Sequence, residues 1–195
     1  MIDKDDVMRF MLEAIKASYK STCFKREIGA VIVKNNEVIA SGSSGGNSSY
    51  THCKGINSKS IGKCHWKTLA AEEAKKLGIK NTDPMFEVIK KEFHIYCLSS
   101  CAERAAITNA VNAGHYDLYG AVLYCTTYPC PRCAKAIRDH FIKKVYFINE
   151  YYPDTTLCQD TERIFLEAGI EQIQVTVEGE LGLRGTRTSY EYIPD

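Results

Sequence analysis

The chain has 195 residues, a formal net charge of +1, 45% hydrophobic residues and nine cysteines. That length suits one substantial domain carrying a large insertion. Near-neutral charge gives no electrostatic pull toward nucleic acid or a membrane surface, the acidic start lacks the apolar core of a signal peptide, and no stretch reaches membrane-spanning length. A cytoplasmic protein is therefore expected, with no nucleic-acid or membrane partner. In that setting nine cysteines, an odd number that includes a Cys-x-x-Cys pair, point to metal ligation rather than a disulfide framework.

Val7, Phe10, Met11, Ala14 and Ile15 recur at helical spacing and predict a helix over residues 5–19. Residues 29–33 and 38–40 flank Lys34-Asn35-Asn36-Glu37 and read as a hairpin of two buried strands. Residues 41–49 are almost all Gly and Ser, a loop. From 52 to 96 the pattern weakens: a helix is expected over 66–77, stopped by Gly78, and a short strand over 93–98. Ser99 or Ser100 can cap a helix over 101–113, apolar at Ala102, Ala105, Ala106 and Val111 and ended by Gly114. A strand over 119–124 follows, then a helix to residue 141 with Pro131 tolerated in its first turn. A strand over 144–148, a helix over 160–168 stopped by Gly169, and a last strand over 170–177 complete the pattern. With no repeat and no low-complexity linker, one α/β domain is expected over residues 1–195, with an insertion at about 46–98.

Two motifs carry chemistry. Cys101-Ala102-Glu103 and Pro129-Cys130-Pro131-Arg132-Cys133 supply three sulfurs and one unattached carboxylate, the residue set of a zinc-dependent hydrolytic deaminase. Catalytic zinc commonly takes three protein ligands and brings the pKa of a water in the fourth position toward neutrality. Glu103, two residues after the first ligand, is placed to take a proton from that water and pass it on. Both motifs open helices, where the dipole favours thiolates. Cys130 and Cys133 lie on one turn and can converge on one metal. A structural zinc knuckle usually has four protein ligands and no use for a carboxylate at that spacing. Glu103 by itself would be an ordinary first-turn glutamate; its meaning comes from its neighbours.

These residues resemble the cytidine deaminase superfamily, and further stretches resemble its deoxycytidylate (dCMP) deaminase branch. They are Ser21-Thr22-Cys23 ahead of residues 28–33, Ala134-Lys135-Ala136-Ile137-Arg138 ahead of residues 142–146, Tyr151-Tyr152-Pro153-Asp154, and Glu167-Ala168-Gly169-Ile170. The resemblance covers most of the chain. It implies a three-layer α/β/α cytidine-deaminase-like fold with a mixed central sheet of about five strands. A helix between the last two strands makes them parallel, because a parallel pair needs a crossover. That arrangement belongs to the dCMP and tRNA deaminase branches, whereas free-cytidine deaminases join these strands by a tight turn. The implied activity is that of a zinc-dependent hydrolase acting on a cyclic amidine, converting a cytosine deoxynucleotide, dCMP, to dUMP with release of ammonia. Cys101, Cys130 and Cys133 are then the ligands of the catalytic zinc and Glu103 the proton shuttle.

The chain departs from the branch at three places. Its first ligand is Cys101 where the branch usually has His, and residues 101–107 with 110–114 look more like the free-nucleoside enzymes. The sugar-contacting Gly-Tyr-Asn-Gly loop appears as Gly42-Ser43-Ser44-Gly45. Positions tied to dCTP activation in some members hold Asn109 and Asn112.

The resemblance also implies a substrate shell. Lys25 and Arg26 fall where the branch handles the phosphate, and Ser44 falls in the sugar loop. Backbone groups around Ala102 and Tyr128 hold the pyrimidine edge through paired donors and acceptors, while Tyr152 packs over the pocket. Lys25 and Arg26 have a plainer reading as solvated loop charges and Tyr152 as cover for a sheet edge, and Arg184 and Arg187 could reach a phosphate in a neighbouring subunit of a homo-oligomer such as a hexamer. Some dCMP-type enzymes carry a second, structural zinc. Cys23 and Cys53 match two of its ligands, and Cys64, His65, His94 and Cys97 are candidates to complete the set, Cys64 foremost. A metal staple would account for order in a polar insertion poor in core residues. Cys125 and Cys158 read as plain thiols. Three rivals stand beside this reading: a free cytidine or deoxycytidine deaminase, a nucleic-acid base deaminase, which would want a basic, aromatic groove, and a non-catalytic zinc-binding interaction module.

Overall fold

Along the central strands successive side chains enter different cores, and this alternation sets the layering. In the computed structural model, which describes residues 4–45, 53, 63–150 and 156–176, two compact units make up the chain. One comprises Met1–Ser21, Glu27–Ser44 and Cys101–Asp195; the other comprises Thr22–Arg26 and Gly45–Ser100.

The first unit is built on a five-stranded mixed sheet. Its strands are β1 (Gly29–Lys34), β2 (Glu37–Ser43), β3 (Val122–Thr127), β4 (Lys144–Asn149) and β5 (Glu171–Gln174), in the order β2-β1-β3-β4-β5. β1 runs antiparallel to both β2 and β3, while β3, β4 and β5 are mutually parallel. Helix α1 (Lys4–Ser18) covers one face: Phe10, Met11, Ala14 and Ile15 pack with Val31, Val33, Tyr124, Tyr146 and Ile148. On the other face Ala30, Ile32, Leu123, Cys125, Val145 and Phe147 meet Ala102, Ala106, Ala134, Ile137, Ile164 and Phe165. Those partners come from helices α4 (Ala102–Asn112), α5 (Pro131–Asp139) and α6 (Thr156–Glu167). The period of two along each strand thus delivers one apolar set to each helical layer. α6 is the crossover that a parallel β4–β5 pair requires. The expected three-layer fold with parallel last strands is the fold observed.

Several boundaries differ from those read off the sequence. The β1–β2 hairpin turns through Asn35 and Asn36, both with positive φ (53° and 63°). This is the mirror-image turn whose twist matches paired strands. β2 is half-exposed rather than buried, because it ends the sheet with β1 as its one neighbouring strand, and it takes in Ser41–Ser43 from the expected Gly/Ser loop. β3 begins three residues later than expected, since Gly120 (φ 74°) closes a turn in which the Ala121 N–H bonds the Leu118 carbonyl. α6 starts earlier than residue 160, and β5 is shorter than 170–177. Residues 151–155, Arg184 and Arg187 lie outside the described residues.

In the second unit, α2 (His65–Lys76) ends before Gly78, whose φ of 70° suits a helix stop. The strand expected over 93–98 is absent. Instead α3 (Pro84–Phe93) runs into a single 3-10 turn, His94–Tyr96. The cause lies upstream: Asp83 caps α3 by accepting the Met85 N–H at 2.8 Å, and Pro84 occupies the first helical position. Ala70, Ala74 and Ile89 form the small core between α2 and α3. Among the described residues no helix is long and apolar enough to cross a membrane.

Candidate zinc and catalytic site

The N-terminal ends of α4 and α5 deliver the three sulfurs to one point. Cys101 is the N-cap of α4 and Cys130 the N-cap of α5, while Cys133 stands one turn into α5. Neither capping cysteine uses its sulfur to cap the helix. The ligand atoms of Cys101, Cys130 and Cys133 instead lie within 4.8 Å of one another, with Cys130 and Cys133 Sγ 3.6 Å apart. Cys101 itself is thus the N-cap in place of the expected Ser99 or Ser100.

The three thiols are tightly coupled. Cys130 is pulled far below the ordinary thiol range, first by the Cys101 and Cys133 thiols that point at its sulfur, then by the Cys133 and Arg132 peptide dipoles. Cys101 is pushed up to about 12 by its bond with Cys130, and Cys133 is raised through Cys101, Cys130 and burial. The neighbouring thiols and the helix N-terminus both favour the thiolate form of Cys130, the form in which a cysteine binds a metal. Three soft sulfurs at two helix N-termini fit a zinc ion with one position left open.

Glu103 faces this cluster from the first turn of α4. It is 4% exposed, and its carboxyl is pushed up to about 7, chiefly by burial and then by the negative Cys130 sulfur; a bond from the Cys133 thiol acts the other way. A buried carboxylate costs several kcal/mol of desolvation unless a cation or donors compensate. A dication at the sulfurs would provide that compensation. The four residues singled out from the sequence are therefore brought together.

The first turn of α4 sits close to the sheet because β2 presents Gly42 to it. A Cβ there would lie 2.3 Å from both the Ala102 carbonyl oxygen and the Ala106 nitrogen. Sequence reading placed this glycine in a loop and missed its role; a glycine interior to a strand signals close backbone approach. Asn109 donates its side-chain amide to the Ser41 carbonyl of β2 at 2.8 Å.

The remaining candidates are distributed as follows. Ala102 is wholly buried at the first position of α4, where helix geometry gives its N–H no intrahelical acceptor. The Tyr128 N–H donates to the Asn149 carbonyl at 2.7 Å. Its ring packs edge-on against Phe147 and Phe165. Ser44 is buried; its hydroxyl accepts from the Ile28 N–H at 3.0 Å and shares a hydrogen bond with the Ser21 hydroxyl at 2.8 Å. Lys25 belongs to the second unit, as does Arg26. The Lys25 ammonium lies 5.5 Å from the Trp66 ring centroid, and an open cleft of about 580 Å³ is lined by Phe24, Lys25, Cys64, Lys67, Thr68 and Ala71. Tyr152 lies outside the described residues.

Cys23, Cys53, Cys64 and Cys97 all lie in the second unit. Cys64 is raised by burial first, and further by Cys53, Cys97 and Cys23; Cys97 is raised by burial, then by Cys23 and Cys53. They are less tightly drawn than the catalytic trio, since the Cys101, Cys130 and Cys133 group is the one found to converge within 4.8 Å among the described residues. His94 stacks edge-on against Trp66 at 5.0 Å.

Residues 3–149 match the family described as the cytidine and deoxycytidylate deaminase zinc-binding region. The chain belongs to this family. Deoxycytidylate deaminase of Enterobacteria phage T4 is 28% identical over 171 residues, covering 83% of this chain and 86% of the phage protein. The deoxycytidylate deaminase of Schizosaccharomyces pombe is 28% identical over 164 residues, again 83% of this chain but 41% of that longer protein. The dCMP deaminase of cyanophage S-TIM5, solved in complex with dCMP and dUMP, superposes with a TM-score of 0.60 at 24% identity, over 89% of this chain and 99% of its own. The last likeness bears on the fold, which it shares with the deaminase family. The thiol triad and Glu103 both fall inside the matched family region.

Proposed function

We propose that this chain is a zinc-dependent hydrolase that converts dCMP to dUMP and ammonia. The observation that carries the reading is the buried Glu103 carboxylate set against three convergent cysteines, in a chain whose named relatives at 28% identity are deoxycytidylate deaminases. Cys101, Cys130 and Cys133 would hold Zn²⁺, which would supply Lewis-acid activation of water at neutral pH. Glu103 would take a proton from the water whose oxygen adds to C4, pass it to N3 of the ring, and then pass the proton left on that oxygen to the amine as its bond to C4 breaks. Burial raises the affinity of the Glu103 carboxyl for a proton, which favours its taking one up, and a cation at the sulfurs would favour its release. The Ala102 N–H and the Tyr128 carbonyl offer one donor and one acceptor to the pyrimidine edge.

In this reading Lys25 and Arg26 hold the phosphate, Ser44 lies by the sugar and Tyr152 closes over the ring. The cationic cleft of Lys25 and Lys67 is a setting that suits an anion. The chain acts as one deaminase domain over residues 1–195 with an insertion at about 46–98, in the cytoplasm, as a homo-oligomer such as a hexamer. Cys23, Cys53 and Cys64 hold a second, structural zinc, with the fourth ligand open among His65, His94 and Cys97.

Turnover of dCMP, dCTP, deoxycytidine and a cytosine-containing oligonucleotide, with zinc counted per chain, tests the proposal. Preference for dCMP supports it. Preference for deoxycytidine would move the chain to the free-nucleoside enzymes, and full zinc with no turnover of any substrate would leave a non-catalytic zinc module.

A further inference from the structure

The segment between β3 and α5 carries Cys130, and its polar groups are bound one after another as it leaves the sheet. Thr127 still pairs with Asn149 of β4. The Asn149 side-chain amide donates to the Thr126 carbonyl at 3.0 Å, and the Tyr128 N–H donates to the Asn149 carbonyl. The Tyr128 hydroxyl donates to the side chain of Gln172 on β5. Pro129 comes next, past the last strand pair and with no N–H of its own. Its carbonyl accepts a 3.1 Å hydrogen bond from the hydroxyl of Thr161 on α6.

Thr161 is wholly buried, and its helical neighbours Ile164 and Phe165 enter the apolar core. Valine would fill the same volume there without a polar atom. A buried hydroxyl must find a partner, and this one finds it on the peptide that joins Pro129 to Cys130. The plane of that peptide helps set where the Cys130 Cα–Cβ bond points. We infer that Thr161 is a positioning residue for the metal centre: by holding the Pro129–Cys130 peptide it keeps the Cys130 sulfur where it closes the triad with Cys101 and Cys133. The inference rests on the zinc reading of that triad. It also gives the β4–α6–β5 crossover a part in the site, since a tight turn between those strands would offer no helix to reach Pro129.

The test compares Thr161→Val, which keeps the shape and loses the hydroxyl, with Thr161→Ser, which keeps the hydroxyl. Thr161→Ala completes a pair with Thr161→Ser that differs by the hydroxyl alone, so the comparison survives if Thr161→Val does not fold. Zinc release from the purified full-length protein to a chromophoric chelator is followed alongside melting temperature, kcat and KM for dCMP. Groups that orient metal ligands change metal affinity about 10–100-fold when lost. Thr161→Val and Thr161→Ala are expected to release zinc at least about tenfold faster than the parent and to lose kcat with KM little changed, with Thr161→Ser close to the parent. The inference is overturned if the hydroxyl-free variants melt earlier yet hold zinc as the parent does, or if Thr161→Ser and Thr161→Ala lose zinc alike. If the parent itself binds no zinc, it is the zinc reading that fails.

Discussion

Replacing Gly42 by alanine tests how the catalytic helix is held. The backbone of Gly42 adopts a conformation open to any residue, so the effect of a methyl group there is steric and not torsional. That methyl would lie 2.3 Å from the Ala102 carbonyl oxygen, 2.3 Å from the Ala106 nitrogen and 2.8 Å from the Ala105 carbonyl carbon. All three are backbone atoms of α4, so no side chain can swing aside. Ordinary contact is regained only if the first turn of α4 retreats from β2 by roughly 1 Å, and overpacking of that kind costs about 1–3 kcal/mol. At about 2–4 °C per kcal/mol for a chain of this size, the melting temperature should fall measurably. The chemical effect should be larger than the thermal one. Cys101 and Glu103 ride on the displaced turn, and a misplacement of about 1 Å at a reacting centre can cost about 10²-fold in rate. Ammonia release from dCMP, zinc content and thermal melting are measured on the same preparation. A Gly42→Ala protein with the parent's rate and melting temperature would refute the claim that β2 sets the depth of the catalytic turn.

Glu103→Gln should keep its zinc while turnover falls about 10²–10⁴-fold, the usual contribution of a positioned proton-transfer group; near-parental turnover of a zinc-loaded Glu103→Gln protein would remove Glu103 from the reaction. Ser44→Ala strips the part-buried Ile28 N–H of its acceptor and removes one of the two bonds of the Ser21 hydroxyl, which keeps the Ser44 carbonyl. It should lower unfolding free energy by about 1–3 kcal/mol in a denaturant titration, and an unchanged midpoint would mean that the site relaxes. Cys53→Ser should lower zinc from two ions per chain to one while the catalytic ion stays, and a parent that carries a single zinc would end the proposal of a second site.

The metal motif was legible in the sequence because its chemistry is restrictive and its spacing local. Cys130 and Cys133 meet across one helical turn, and Glu103 follows Cys101 by two residues, so few alternatives explain the pattern. The sheet was legible for a related reason. Buried strands such as Gly29–Lys34 and Lys144–Asn149 are short apolar runs, and the helix between the last two fixes them as parallel. The segment around α3 was misread because Phe93, Ile95 and Tyr96 carry strand-like side chains, while the helix signal sits ten residues earlier in Asp83-Pro84. Thr161 and Gly42 were invisible for another reason: each acts on a backbone atom far along the chain. Thr161 reaches Pro129 across 32 residues, and Gly42 meets α4 through space it leaves empty. Contacts of that kind leave no local pattern.

Two features of the chain point toward different relatives, and they are compatible because they act at different places. Cys101 in place of the histidine usual in the dCMP branch would alter the charge and softness of a metal held there, the part of the site proposed to meet C4 of the ring. The crossover through α6 alters the scaffold on the far side of Pro129. Neither feature meets the 5′ end of a nucleotide, which lies a whole sugar away from C4. A cysteine ligand therefore carries no information about the phosphate, and neither does a parallel strand. Discrimination between dCMP and deoxycytidine has to come from cations that meet the phosphate itself. Lys25 and Arg26 are the residues proposed for that part, and charge removal at them should raise KM for dCMP and leave turnover of deoxycytidine unchanged. A Lys25→Ala, Arg26→Ala protein that treats dCMP as the parent does would show that the phosphate is read elsewhere.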